Sequence, residues 1–176
     1  MNKLAIRKIA LDTETTGVDW AGGDRIIEIA CVEICPAKNA PKTFHVVINP
    51  DCEIEEACTA IHGYTWADLC DKPMFSDIAA DFLAFIKGAE LVIHNAKFDV
   101  GFLNTELARL DLPGIESCCT VTCTLAMARG LYPAQPNSID VLCERLRINM
   151  PSTQSYAVQD AVLVGEIYLE MTGLHT

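Results

Sequence analysis

The sequence is short of positive charge. Lys and Arg number 13 against 24 Asp and Glu, which leaves a net charge of -11. That balance argues against a protein that grips nucleic acid through a broad basic face. It does not exclude an enzyme that meets nucleic acid through bound metal ions, because a cluster of carboxylate ligands inflates the negative count. No apolar run reaches the length of a membrane span, and Met1-Asn2-Lys3 leads straight into a strand-like segment without a charged-then-apolar leader. We therefore expect a cytoplasmic protein with no membrane partner. Internal repeats, low-complexity tracts and linkers are lacking too, so the 176 residues are expected to form one domain, 1–176, around a single core.

Cysteine is plentiful, at nine, but no Cys-x-x-Cys pair occurs. Cys31 with Cys35, and Cys119 with Cys123, stand four apart without a nearby His partner. The simplest reading is reduced thiols acting as small apolar residues, with zinc or disulfides as the alternative.

What is present centres on Ile9-Ala10-Leu11-Asp12-Thr13-Glu14-Thr15-Thr16-Gly17. The apolar run from Leu4 to Leu11 reads as a buried strand that ends in two carboxylates and a Thr-Thr-Gly turn. Strand alternation puts Asp12 and Glu14 on one face. Adjacent carboxylates repel unless a positive charge lies between them, and a divalent metal with oxygen ligands is the usual solution. The stretch therefore reads as half of a metal site.

Two further strands are expected at Arg25 to Ile34 and Thr43 to Ile48, antiparallel to the first. The period then turns helical from Glu53, with Ile54, Cys58 and Ile61 on one face and a stop at His62-Gly63. Ile78, Phe82, Phe85 and Ile86 make the apolar stripe of a helix that starts after Pro73. A short strand from Glu90 to His94 precedes a helix from Asn95 to Leu110, with Phe98 and Phe102 inward. Cys118 to Thr122 reads as a last strand, followed by helices from Leu125 to Leu131, Ile139 to Leu146 and Gln154 to Met171. Three antiparallel strands followed by strands alternating with helices predict a mixed α/β sheet flanked by helices.

Two more acids stand out. Asp99 lies in His94-Asn95-Ala96-Lys97-Phe98-Asp99, one turn into a helix after a buried strand. Asp160 lies on an otherwise apolar helix and needs a partner; on spacing alone it is either a site acid or a capped acid at the core edge.

Asp-Thr-Glu-Thr-Thr-Gly at 12–17, His-Asn-Ala-Lys-Phe-Asp at 94–99 and a last helix carrying Asp160 resemble the three motifs of the DEDD 3′-5′ exonuclease superfamily, whose fold is ribonuclease H-like. Ile26-Ile27-Glu28-Ile29, Phe44-His45-Val46, Ile61-His62-Gly63, Asn137-Ser138 and Glu166 to Gly173 are similar to the epsilon, or proofreading, branch, so the likeness spans nearly the whole chain. The resemblance implies that Asp12, Glu14, Asp99 and Asp160 hold two divalent ions, Mg2+ or Mn2+, about 3.5 to 4 Å apart. One would generate hydroxide and the other stabilise the leaving 3′ oxygen. It further implies that Asn95, His62 and Phe98 line the substrate cleft and that the main chain of Thr13 and Thr15 grips the terminal nucleotide. Read without the resemblance, His62 is a helix C-terminal cap.

The sequence departs from the epsilon branch at one position. A histidine five residues before the last aspartate is the branch's general base, and here that position is Ser155. Serine cannot take a proton at neutral pH without a base of its own. The next residue gives Tyr156-x-x-x-Asp160, the spacing of a sister branch in which a tyrosine orients the attacking water. Residues four apart share a helix face, so Tyr156 is either catalytic or an ordinary surface tyrosine. The segment Asn149 to Gln154 also looks one residue short, which leaves the helix register open.

Three functions follow from these readings. The first is a DNA 3′-5′ exonuclease in proofreading or repair. The second is the same chemistry on RNA or short oligonucleotides, as in the ribonuclease T and oligoribonuclease branches. The third is a weakened nuclease fold serving as a polymerase scaffold. The implied partners are a nucleic-acid 3′ end, DNA polymerase III alpha and the sliding clamp, although the chain ends at Leu174-His175-Thr176, without the tail that carries the protein contacts in that branch.

Overall fold

The computed structural model describes residues 6–34, 41–151 and 155–174. The start of the first apolar run, Cys35, the Ser152 to Gln154 segment and His175 lie outside the described residues. Five strands form one sheet in the order β3-β2-β1-β4-β5. Strands β1 (Lys8–Thr15), β2 (Ile26–Glu33) and β3 (Thr43–Val47) are antiparallel neighbours, and β4 (Glu90–Ile93) and β5 (Thr120–Cys123) continue from β1 in parallel. The helices are α1 (Glu56–His62), α2 (Trp66–Leu69), α3 (Phe75–Ile86), α4 (Lys97–Ala108), α5 (Thr124–Leu131), α6 (Ile139–Leu146) and α7 (Tyr156–Thr172).

Alternation along β1 divides the core between the two faces of the sheet. Ile9 and Leu11 pack with Leu91 and Ile93 against Phe82 and Ile86 of α3 and Phe102 and Leu103 of α4. The opposite face carries Ala10, Ala30 and Val92 and receives α7 through Ala157, Ala161, Val164 and Tyr168. Small residues on both partners let this helix lie close to the sheet. A methyl built on Gly165 would stand 3.6 Å from the Ala10 Cβ, in ordinary contact. Asp12 and Glu14 continue the Ala10 face, so α7 is brought down directly beside them.

The structure departs from the expected helices in two places that border the site. Helix α1 starts at Glu56, not Glu53, and Ile61 of its expected apolar face is 68% exposed; the residue it buries is His62. Asn95 is not helical. It has φ 60°, a left-handed conformation that asparagine tolerates, and this turn re-aims the chain between β4 and α4. The eight described cysteines are all free, which agrees with the thiol reading.

Candidate active site

Strand β1 outlasts its parallel neighbour. It pairs with β4 only from Lys8 to Leu11, and beyond Leu11 no described strand pairs with β1 on that side. Asp99, in the first turn of α4, fills the gap. Its Oδ1 accepts from the Thr13 backbone N–H at 3.2 Å and from the Thr13 hydroxyl at 2.8 Å. Asp99 is therefore fastened to β1 one residue from Asp12 and one from Glu14. Thr13 spends its N–H on that carboxylate rather than holding it out for a nucleotide. The Thr15 hydroxyl likewise turns inward, donating to the Gly17 carbonyl at 2.6 Å.

The other acids come from β2 and α7. In the β1–β2 ladder Asp12 stands opposite Ala30 and Glu14 opposite Glu28, and directly opposed side chains share a face at close range. Asp160 is the fifth residue of α7, one position before Ala161, which packs on Ala30. Small residues thus set the height of Asp160 above Asp12.

Burial and mutual repulsion leave these acids short of positive charge. Desolvation first, then the charges of Asp99, Asp160, Glu14 and Glu28, hold Asp12 well above the usual carboxylate range. Desolvation followed by Glu28, Asp160 and Asp99 pushes Glu14 up to about 7. Asp99 is raised to about 7 by burial, against the opposing pull of the Thr13 hydrogen bonds. Asp160 is raised by desolvation and by Asp140. Among the described residues, no ion pair involves any of the four.

Such a set calls for divalent cations, and an all-oxygen donor set suits hard ions. The carboxylates are gathered within electrostatic reach without forming a finished cage. Among the described residues, no three His, Cys, Asp or Glu side chains converge closely enough to hold an ion as they stand. Like charges in a buried space separate, and Asp99 turns to Thr13.

The remaining candidates surround the acids on two sides. Asn95, exposed on its turn, lines a cleft of about 710 Å³ together with Asp160, Asp140, Arg129 and Asn137. Tyr156, 54% exposed, lines a separate pocket of about 260 Å³ with His62, Tyr64 and Ser155. Tyr156 and Asp160 thus border different openings although they share a helix face. Phe98 packs on Phe102 with ring centroids 4.9 Å apart, half-buried against the core. His62 is buried. Its Nδ1 accepts from the Tyr64 N–H at 3.1 Å, which leaves the proton on Nε2. That buried Nε2 meets no partner of good geometry, although the Thr15 backbone lies within electrostatic reach. Burial lowers the His62 pKa and favours the neutral ring.

Sequence reasoning did not identify Glu28, which is completely buried. Its Oε1 accepts from the Ser155 hydroxyl at 2.6 Å and meets His45 Nε2 at 2.6 Å, and Tyr64 lies within electrostatic reach of this carboxylate. The signal available was an acid in the middle of Ile26-Ile27-Glu28-Ile29, a run with apolar residues on both faces.

A mixed sheet in this strand order, with helices on both faces and acids gathered where β1 outruns its neighbour, defines a nuclease of ribonuclease H-like fold. The comparisons with known proteins give the family. Residues 9–168 match the model of the exonuclease family, RNase_T. The DNA polymerase III epsilon subunit of Salmonella typhimurium is 43% identical over 183 residues, covering 100% of this chain and 75% of its own length. That of Escherichia coli K12 is 42% identical with the same coverage. Exonuclease X, solved in complex with 5′ overhanging duplex DNA, matches with a TM-score of 0.74 and 26% identity over 94% of this chain and 91% of its own. The chain belongs to the exonuclease family and is homologous to the epsilon-type 3′-5′ exonucleases. Members of this family generally use divalent metal ions.

Proposed function

We propose that this chain is a single exonuclease domain, 1–176, that removes nucleotides from DNA 3′ ends with two Mg2+ or Mn2+ ions held by Asp12, Glu14, Asp99 and Asp160. The observation that carries the proposal is the set of carboxylates contributed by β1, α4 and α7, Asp99 buried and the other three half-buried, raised in pKa and without a cationic partner among the described residues. Divalent cations held by these four acids would supply the charge that makes water nucleophilic near neutral pH and would stabilise the departing oxygen. The chain's own residues hold and orient the reacting groups. Thr13 fixes the Asp99 carboxylate through two hydrogen bonds, and the close seat of α7 fixes Asp160.

In this reading the neutral, buried His62 backs the wall of the cleft from beneath, its Nε2 lying near the Thr15 main chain. Thr15 shapes the turn beside it, and Asn95 and Phe98 line the opposite wall. Tyr156 orients the attacking water through its hydroxyl from the first turn of α7, in place of the histidine that Ser155 replaces. The relatives' identity as epsilon subunits supports a proofreading role in the cytoplasm, with DNA polymerase III alpha and the sliding clamp as partners. No described helix is long and apolar enough to cross a membrane.

The test is digestion of single-stranded DNA with Mg2+, Mn2+ or EDTA, comparing the native chain with Asp99→Ala and Tyr156→Phe. Metal-dependent digestion that vanishes in Asp99→Ala and drops at least about tenfold in Tyr156→Phe supports the assignment. Unchanged digestion in Tyr156→Phe makes the tyrosine a bystander.

A further inference from the structure

Glu28 and Ser155 lie 127 positions apart in sequence and meet at the edge of the acid cluster. Ser155 is the N-cap of α7, and its Oγ does two things at once. It accepts from the Val158 N–H at 3.0 Å, closing the first turn of the helix, and it donates to Glu28 Oε1 at 2.6 Å. Glu28 has no exposed surface and stands opposite Glu14 in the β1–β2 ladder. The same carboxylate is tied to His45 on β3 and lies near Tyr64 after α1, while its Oε2 is buried and meets no hydrogen-bond partner among the described residues. A buried carboxylate with one unsatisfied oxygen is costly to keep. It makes sense where its position is needed, and here its bonds join β3 and the start of α7.

We propose that Glu28 and Ser155 are a positioning pair. The Ser155 hydroxyl, bonded to Glu28, fixes the first turn of α7 against β2 and thereby sets Tyr156 and Asp160 relative to Asp12 and Glu14. The residue that stands where relatives of the epsilon branch have a base thus serves a different purpose here: it anchors the helix. The inference rests on the exonuclease reading above, since it assigns these residues to that site.

Substitutions at position 155 separate capping from anchoring. Aspartate keeps an N-cap acceptor for the Val158 N–H but cannot donate to Glu28 and adds charge beside it. Threonine keeps both bonds, and alanine loses both. The experiment measures kcat and KM on a single-stranded oligonucleotide, the Mn2+ dissociation constant by electron paramagnetic resonance, and Tm, for S155A, S155D, S155T, E28L, which removes the acceptor, and the double variant E28L/S155A. Misplacement by about 1 Å costs on the order of 100-fold. S155A and S155D are therefore expected to lose about 10- to 100-fold in kcat with KM nearly constant, and to bind Mn2+ about tenfold more weakly. S155T recovers most of both losses. The double variant loses less than the product of the two single losses, because each single change already removes the Ser155–Glu28 hydrogen bond.

S155D retaining native kcat and Mn2+ affinity would overturn the pairing, as would losses that multiply in the double variant. A native chain that degrades no oligonucleotide with either cation would instead overturn the exonuclease reading. The Mn2+ constants of the same variants would still decide the pairing.

Discussion

Replacing Asp99 by asparagine should make the metal-free protein more stable and destroy its activity. Asparagine has the same shape and keeps an acceptor for the Thr13 N–H and hydroxyl, which meet Asp99 Oδ1 at 3.2 and 2.8 Å. What it removes is a buried charge. Asp99 is raised from 3.8 to about 7, and at about 1.4 kcal/mol per pKa unit the native state bears on the order of 4 kcal/mol above pH 7, part of it shared with Asp12 because the two titrate together. For an acid whose folded pKa lies above its unfolded value, this penalty is absent below the unfolded pKa, near 4. It grows as pH rises toward 7 and is constant beyond. In EDTA at pH 8, Asp99→Asn should raise Tm by roughly 10 °C, and at pH 5 by less than half as much. Saturating Mn2+ should reverse the ranking, because the native carboxylates gain a cation that asparagine cannot share. Differential scanning fluorimetry across pH, with and without Mn2+, measures all three. A variant of equal or lower Tm at pH 8 in EDTA, or a gain that does not shrink on acidification, refutes the reasoning.

Two further outcomes follow from the packing. Ala161→Leu inserts a large side chain where α7 lies against Ala30; overpacking should cost about 1–3 kcal/mol and lift Asp160 away from Asp12, so that kcat in the nuclease assay falls more than Tm alone would explain. Glu106 is 2% exposed and accepts from Arg25 at 2.6 and 2.9 Å and from Arg109 at 2.9 Å. Glu106→Ala removes the shared acceptor of two partly solvated guanidiniums and should cost about 1–3 kcal/mol, read as a lowered urea midpoint.

The sheet was legible because its strands are marked by composition. β1, β2 and β3 are apolar runs cut by Gly, Pro and Asn, and their order implied the antiparallel half of the sheet. The four acids proposed as ligands stood out because Asp12 and Glu14 sit at a strand end, Asp99 lies one turn into a helix after a buried strand and Asp160 interrupts an apolar face. Features that depend on contacts between distant segments were not legible. Glu28 becomes a neighbour of Glu14 only through the β1–β2 register, which shifts between Glu14 and Thr15. Ser155 could be read as a helix start, but its bond to a strand 127 residues earlier could not. Helix α1 misled for a different reason. Its apolar spacing is real, yet Ile61 faces solvent and His62 faces in, because His62 packs beside Tyr64, with ring centroids 5.7 Å apart.

The most direct test of the central claim is one oligonucleotide labelled at either end and digested with Mg2+ by the native chain and by Asp12→Asn. The account predicts a ladder shortening from the 3′ side when the 5′ end is labelled and immediate release of a mononucleotide when the 3′ end is labelled, with both lost in Asp12→Asn. Digestion from the 5′ end, or a ladder that survives Asp12→Asn, would contradict it.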